Sequence, residues 1–138
     1  MDKILVVDDE RSMRDFLSIM LKKAGYDVTT AIDGDEAVKI LHKDIFDLVI
    51  TDLKMPKVDG LQVLKTVKEL SPDTVVIVIT AFASTETTVE AMKEGAYDYI
   101  TKPFQNDEMK IRIKKALEKR RLSAENILLK KQLKDRAV

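Results

Sequence analysis

The stretch Ile4-Leu5-Val6-Val7-Asp8-Asp9 is an apolar run of strand length that stops at two adjacent acids, and Leu48-Val49-Ile50-Thr51-Asp52 repeats the form. Each acid stands where a buried strand would end and its loop begin. Between such runs lie segments of helical period: Arg11 to Ala24 carries Met13, Phe16, Leu17, Met20 and Leu21 at helix spacing, with Gly25 as its stop. A weaker strand, Asp27 to Ala31, leads through Asp33-Gly34 to a helix from Asp35 to Lys43 with Ala37, Ile40 and Leu41 facing inward. After the loop from Asp52 to Lys57, a helix from Val58 to Leu70 ends before Ser71-Pro72. Val75 to Thr80 has the β-branched composition of a strand covered on both faces, Ser84 is placed to cap a helix reaching Glu94, and Tyr99 to Thr101 is a short last strand.

Five strands alternating with five helices, joined by connections too long for hairpins, predict a doubly wound α/β domain around a parallel sheet. In such sheets ligands sit beyond the carboxyl ends of the strands. Asp8, Asp9 and Asp52 are expected at that edge. Carboxylates crowded together are costly to keep ionised, and a hard, oxygen-preferring divalent ion such as Mg²⁺ relieves the repulsion. Asp52 is the candidate nucleophile, since a carboxylate can accept a phosphoryl group, and Lys54 could lend the metal its backbone carbonyl. Thr80 adds a hydroxyl donor at the end of the fourth strand, and Lys102 a mobile ammonium after the fifth, with Pro103 favouring a cis bond that would aim it. Taken singly, each residue has an ordinary reading as a turn former or strand end. Their shared position at four strand ends is what points to chemistry.

Composition narrows the alternatives. The chain has 138 residues, 45% of them hydrophobic, and 24 basic side chains balance 24 acidic ones, so bulk charge predicts neither nucleic-acid nor membrane binding. With no cysteine, thiolate metal sites and cysteine nucleophiles are excluded. The start at Met1-Asp2-Lys3 runs straight into a strand without the apolar stretch of a signal peptide, which gives a cytoplasmic expectation. The basic residues Lys110, Arg112, Lys114, Lys115, Lys119, Arg120 and Arg121 read as a solvated face, because no recognition motif accompanies them, and His42 reads as a surface residue.

Val6-Val7-Asp8-Asp9-Glu10, Thr51-Asp52-Leu53-Lys54-Met55-Pro56 with Gly60, Thr80-Ala81 and Lys102-Pro103-Phe104 together resemble, in order and spacing, the receiver domains of two-component response regulators, over about residues 3 to 120. The resemblance implies a flavodoxin-like fold with strand order 2-1-3-4-5. It implies that Asp52 accepts a phosphoryl group from the phosphohistidine of a histidine kinase, with Mg²⁺ on Asp8, Asp9, Asp52 and the Lys54 carbonyl. Thr80 and Lys102 match the phosphoryl-sensing side chains and Tyr99 the aromatic switch. A population shift would then alter the face formed by the fourth helix, fifth strand and fifth helix. Lys54 and Phe82 would flank the path of a hydrolytic water, bulky Phe82 slowing it.

The last helix is expected from Asn106 to about Asp135, roughly 40 Å at 1.5 Å per residue. Leu122, Asn126, Leu129 and Leu133 follow a coiled-coil seam, so residues 121–138 are expected to form a homodimerising linker beyond a receiver of residues 1–120. The stretches 95–104 and 125–129 resemble the NtrC-like group, in which the receiver precedes a sigma-54-activating AAA+ ATPase and a DNA-binding domain; neither a P-loop nor a helix-turn-helix is in this chain. Two rivals differ in class. An aspartate-nucleophile phosphatase wants a second Asp two positions after the nucleophile, where Lys54 stands, and a scaffold with an idle acidic pocket would bind Mg²⁺ without being phosphorylated. Crowding of the acids also predicts that Asp52→Asn stabilises the metal-free protein.

Overall fold

The computed structural model describes the backbone of residues 1–81 and 85–136, and side chains within these as far as residue 122. Five strands, β1 (Lys3–Val7), β2 (Asp27–Ala31), β3 (Leu48–Asp52), β4 (Val75–Thr80) and β5 (Asp98–Thr101), alternate with α1 (Arg11–Lys23), α2 (Gly34–Lys43), α3 (Gly60–Leu70), α4 (Glu86–Lys93) and α5 (Asn106–Arg136). The strands form one parallel sheet in the order β2-β1-β3-β4-β5. This is the doubly wound α/β domain that the strand and helix pattern predicts, with the flavodoxin-like strand order that the family resemblance implies.

The strand compositions follow from burial on both faces. Along β1, Ile4 and Val6 pack towards Leu17 and Leu21 of α1 and Met109, Ile113 and Ala116 of α5, while Leu5 and Val7 pack with Ala37 of α2, Val63, Leu64 and Val67 of α3, and Ala91 of α4. Side chains alternate across a strand, so a strand with helices on both sides must be apolar throughout. β3 and β4 are buried at every position.

Helix ends differ in detail from the sequence expectation. Asp33 caps α2 by accepting from the Glu36 N–H, and Asp59 caps α3 by accepting from Gln62. The cap of α4 is Thr85, whose hydroxyl oxygen accepts from the Thr88 N–H, rather than Ser84, which lies outside the described residues together with Phe82. Phe16, one of the apolar residues at helix spacing in α1, is 40% exposed: the sheet covers only part of the apolar arc of α1, and the ring sits beside Phe104 with centroids 6.5 Å apart. Gly25 and Gly95 take the left-handed backbone with φ of +95° and +109° just beyond α1 and α4, as terminating glycines do.

Candidate functional site

Parallel register turns four distant sequence positions into one site. Val7 pairs with Thr51, so the residues that follow them, Asp8 and Asp52, lie level at the ends of adjacent strands. Asp52 pairs with Ile79, one residue before Thr80, and Thr80 pairs with Thr101, one residue before Lys102. A connection to Lys102 is fixed further by its N–H, which donates to the Thr80 carbonyl at 2.8 Å. Asp52 is the final residue of β3 rather than the first of the loop.

Asp8, Asp9 and Asp52 each present a carboxylate oxygen within 4.8 Å of the others. Asp8 is completely buried, whereas Asp9 is exposed. One Asp8 oxygen accepts from the Glu10 N–H at 2.9 Å; its Oδ2 is buried and has no hydrogen-bond partner. Burial raises the Asp8 carboxyl above its ordinary range; the Glu10 N–H and the Lys102 ammonium offset part of this, and the charges of Asp52 and Asp9 add to it. An orphaned, buried carboxylate oxygen facing two further acids is the donor set a hard cation needs. The residues fit a divalent metal.

Lys102 Nζ donates to Asp52 Oδ2 at 2.9 Å and lies 3.8 Å from Asp8 Oδ2. Burial pulls the lysine down, but the hydrogen bond and charge of Asp52 outweigh it and leave Lys102 above its usual value. The other Asp52 oxygen accepts from the Lys54 N–H at 3.2 Å, which turns the loop after β3 back over the carboxylate. Lys102 is followed by a cis peptide bond to Pro103.

The structure adds residues that no sequence pattern singles out. Arg14 on α1 donates to the Asp8 carbonyl at 2.7 Å, bracing the β1 end. Thr88 on α4 donates its hydroxyl to Thr80 Oγ1 at 3.3 Å. Tyr99 is half-buried on β5 and lines a surface cleft with Thr88, Val89, Met92 and Lys93. Among the basic residues from Lys110 to Arg121, Arg112 pairs with Asp98 and Glu108, Lys119 lies over the Tyr97 ring, and Arg120 pairs with Asp47.

An acidic, metal-competent pocket at the carboxyl edge of a 2-1-3-4-5 sheet, with a lysine reaching into it, defines the class to which this chain belongs: the response regulator receiver domains, whose family model matches residues 4–114. Among curated relatives, the transcriptional regulatory protein ZraR of Escherichia coli is 42% identical over 114 residues, covering 83% of this chain and 26% of that one. A putative NtrX-like response regulator of Rickettsia felis is 41% identical over 135 residues, covering 96% of this chain and 28% of the relative. The chain therefore spans about a quarter of the length of these relatives. Among solved structures, NtrX from Brucella abortus superposes with a TM-score of 0.88 at 36% identity, over 94% of this chain and 30% of that one. The Vibrio cholerae chemotaxis protein CheY4 gives 0.79 at 34% identity, over 84% and 98%. Among the described residues, no helix is long and apolar enough to cross a membrane.

Proposed function

We propose that this receiver is a phosphorylation-dependent switch in which Asp52 is the acceptor and a sensor histidine kinase the donor. The observation that carries the reading is the convergence of Asp8, Asp9 and Asp52 within 4.8 Å, with Lys102 hydrogen-bonded to Asp52. A carboxylate oxygen of Asp52 forms a P–O bond to phosphorus as the P–N bond of phosphohistidine breaks, its electron pair passing to the departing imidazole nitrogen. Asp8, Asp9, Asp52 and the Lys54 backbone carbonyl would hold Mg²⁺, which when bound neutralises charge on the carboxylates and the phosphoryl oxygens. Lys102 exchanges its Asp52 contact for a phosphoryl oxygen, Thr80 donates its hydroxyl to another, and Tyr99 responds as the aromatic switch. Water attack on the acyl phosphate releases phosphate and regenerates the carboxylate, so the chain resets itself without being an enzyme acting on an external substrate.

Downstream, residues 121–138 act as a homodimerising linker, with the α4-β5-α5 face as a further contact between copies. In the longer regulator they lead to a sigma-54-activating AAA+ output domain; direct contact with nucleic acid is left to a domain outside this chain, and the setting is cytoplasmic. Incubation with Mg²⁺ and a small acyl-phosphate donor should add the mass of one phosphoryl group to the wild type and none to Asp52→Asn. Equal labelling of both would remove Asp52 from its role, and no labelling of either despite tight Mg²⁺ binding would leave an idle pocket.

A further inference from the structure

The three acids of the site are not held in place alike. Asp8 is wholly buried, and Asp52 accepts from Lys102 and from the Lys54 N–H. Asp9 is exposed, and among the described residues its side chain makes no hydrogen bond or ion pair, yet one of its oxygens lies within 4.8 Å of an oxygen from each of the other two acids. Repulsion drives an exposed carboxylate away from such neighbours, so the main chain must set where it stands. The peptide between Asp8 and Asp9 is planar and carries the Asp9 Cα in its plane. Beyond the end of β1 the Asp8 N–H still donates to the Ala31 carbonyl at 3.3 Å, whereas the Asp8 carbonyl accepts from Arg14 Nη1 at 2.7 Å. The Glu10 N–H donates to Asp8 Oδ1 at 2.9 Å and the Arg14 N–H to the Glu10 carbonyl at 3.1 Å, so Arg14 closes on both ends of the turn. Glu10, the N-cap of α1, makes no side-chain capping bond; the guanidinium instead ties the first turn of that helix back to the main chain at the end of β1.

We propose that Arg14 is a positioning residue for the metal site: through the Asp8 carbonyl it holds the Asp8–Asp9 peptide in the orientation that brings the Asp9 carboxylate up to Asp8 and Asp52. The proposal rests on the reading that these acids hold Mg²⁺. Without the guanidinium the Asp8 carbonyl turns towards water, and rotation of that peptide swings the Asp9 Cα and its carboxylate away from the other two. Positioning and charge act with opposite signs. A cation beside an acidic pocket repels Mg²⁺, so by charge alone removal of the guanidinium tightens metal binding. Displacement of the Asp9 oxygen loosens it, because a hard cation depends on how many oxygen ligands converge on it. Groups that orient metal ligands matter nearly as much as the ligands themselves, so the loosening outweighs the gain.

The test is a Mg²⁺ titration of the full chain followed by amide chemical shifts, which read weak affinities as well as strong ones. Arg14→Met keeps an apolar stem and removes the guanidinium; it should bind Mg²⁺ about tenfold more weakly than the wild type. In an Asp9→Asn background, where the charge to be positioned is gone, the same substitution should leave the affinity within about twofold of Asp9→Asn alone or tighten it. A merely structural role would not distinguish the two backgrounds. If Arg14→Met does not fold, Arg14→Gln, with its shorter and neutral side chain, serves in its place. Unchanged or tighter binding by the Arg14 variant, or an equal loss in the two backgrounds, would overturn the proposal while leaving the metal site itself intact. Failure of the wild type to bind Mg²⁺ would overturn both.

Discussion

At the scale of single residues, the cost of the acidic site falls unevenly. Asp52 has Lys102 at 2.9 Å, whereas the wholly buried Asp8 has the same ammonium only at 3.8 Å and an oxygen without a hydrogen bond. The sequence-based expectation that Asp52→Asn stabilises the metal-free protein therefore transfers to Asp8. Removing the charge of Asp52 also removes the main partner of Lys102, and the two effects oppose each other. Removing the charge of Asp8 relieves burial and repulsion together, while the Lys102–Asp52 pair survives. Asp8→Asn should raise the metal-free unfolding free energy by about 1 kcal/mol. It should also weaken Mg²⁺ binding by at least about tenfold. Denaturant unfolding in chelator and a metal titration measure the two effects, and a destabilised Asp8→Asn would contradict the assignment of the cost.

At the scale of elements, the site depends on a helix start pressed against a strand end. A Cβ at Gly60 would lie 2.7 Å from the Leu53 Cα and closer still to the Asp52 carbonyl oxygen, while the Gly60 N–H donates to the Leu53 carbonyl at 3.0 Å. Both obstructing groups are backbone and cannot swing aside. Gly60→Ala must displace either α3 or the end of β3, costing about 2 kcal/mol or more. Because the displaced end carries Asp52, phosphorylation by a small donor should slow as well; a destabilised variant with wild-type phosphorylation would show α3 moving instead. The inner elements were legible because burial on both faces makes β1, β3 and β4 near-continuous apolar runs, whereas the edge strands β2 and β5 are only partly buried. Their ends were less so: Lys3, Asp52 and Asp98 join their strands through pairing with neighbours, which no single segment reveals. Phe16 shows the same limit, since helical period locates an apolar arc but not how much of it the sheet covers.

At the scale of the whole molecule, the site residues were legible because strand ends in a parallel sheet share one edge, so Asp8, Asp52, Thr80 and Lys102 could be placed together from strand positions alone. The pairs Thr88–Thr80, Arg14–Asp8 and Arg120–Asp47 could not, since they depend on how helices lie across the sheet. The last of these pairs marks where the receiver lets go of α5. Ala116 and Leu117 are buried and Arg120 reaches Asp47 at 2.8 Å, but Leu122 is 60% exposed. Asp47 is itself tied to β1 by accepting the Lys3 N–H at 2.7 Å. The part of α5 up to residue 120 thus serves as a nucleus already formed, from which the helix propagates to Arg136 without the cost of a first turn. The seam of Leu122, Asn126, Leu129 and Leu133 falls wholly in this propagated part, whose side chains lie beyond Leu122 outside the described residues. If that seam joins two copies, Leu129→Asp places a charge in its centre while leaving the receiver untouched. Sedimentation equilibrium should then show self-association weakened by about tenfold or more, with Mg²⁺ affinity and phosphorylation unchanged. Undiminished association of Leu129→Asp would move the dimer contact to the α4-β5-α5 face, where the exposed Val89 and Met92 offer the alternative apolar surface.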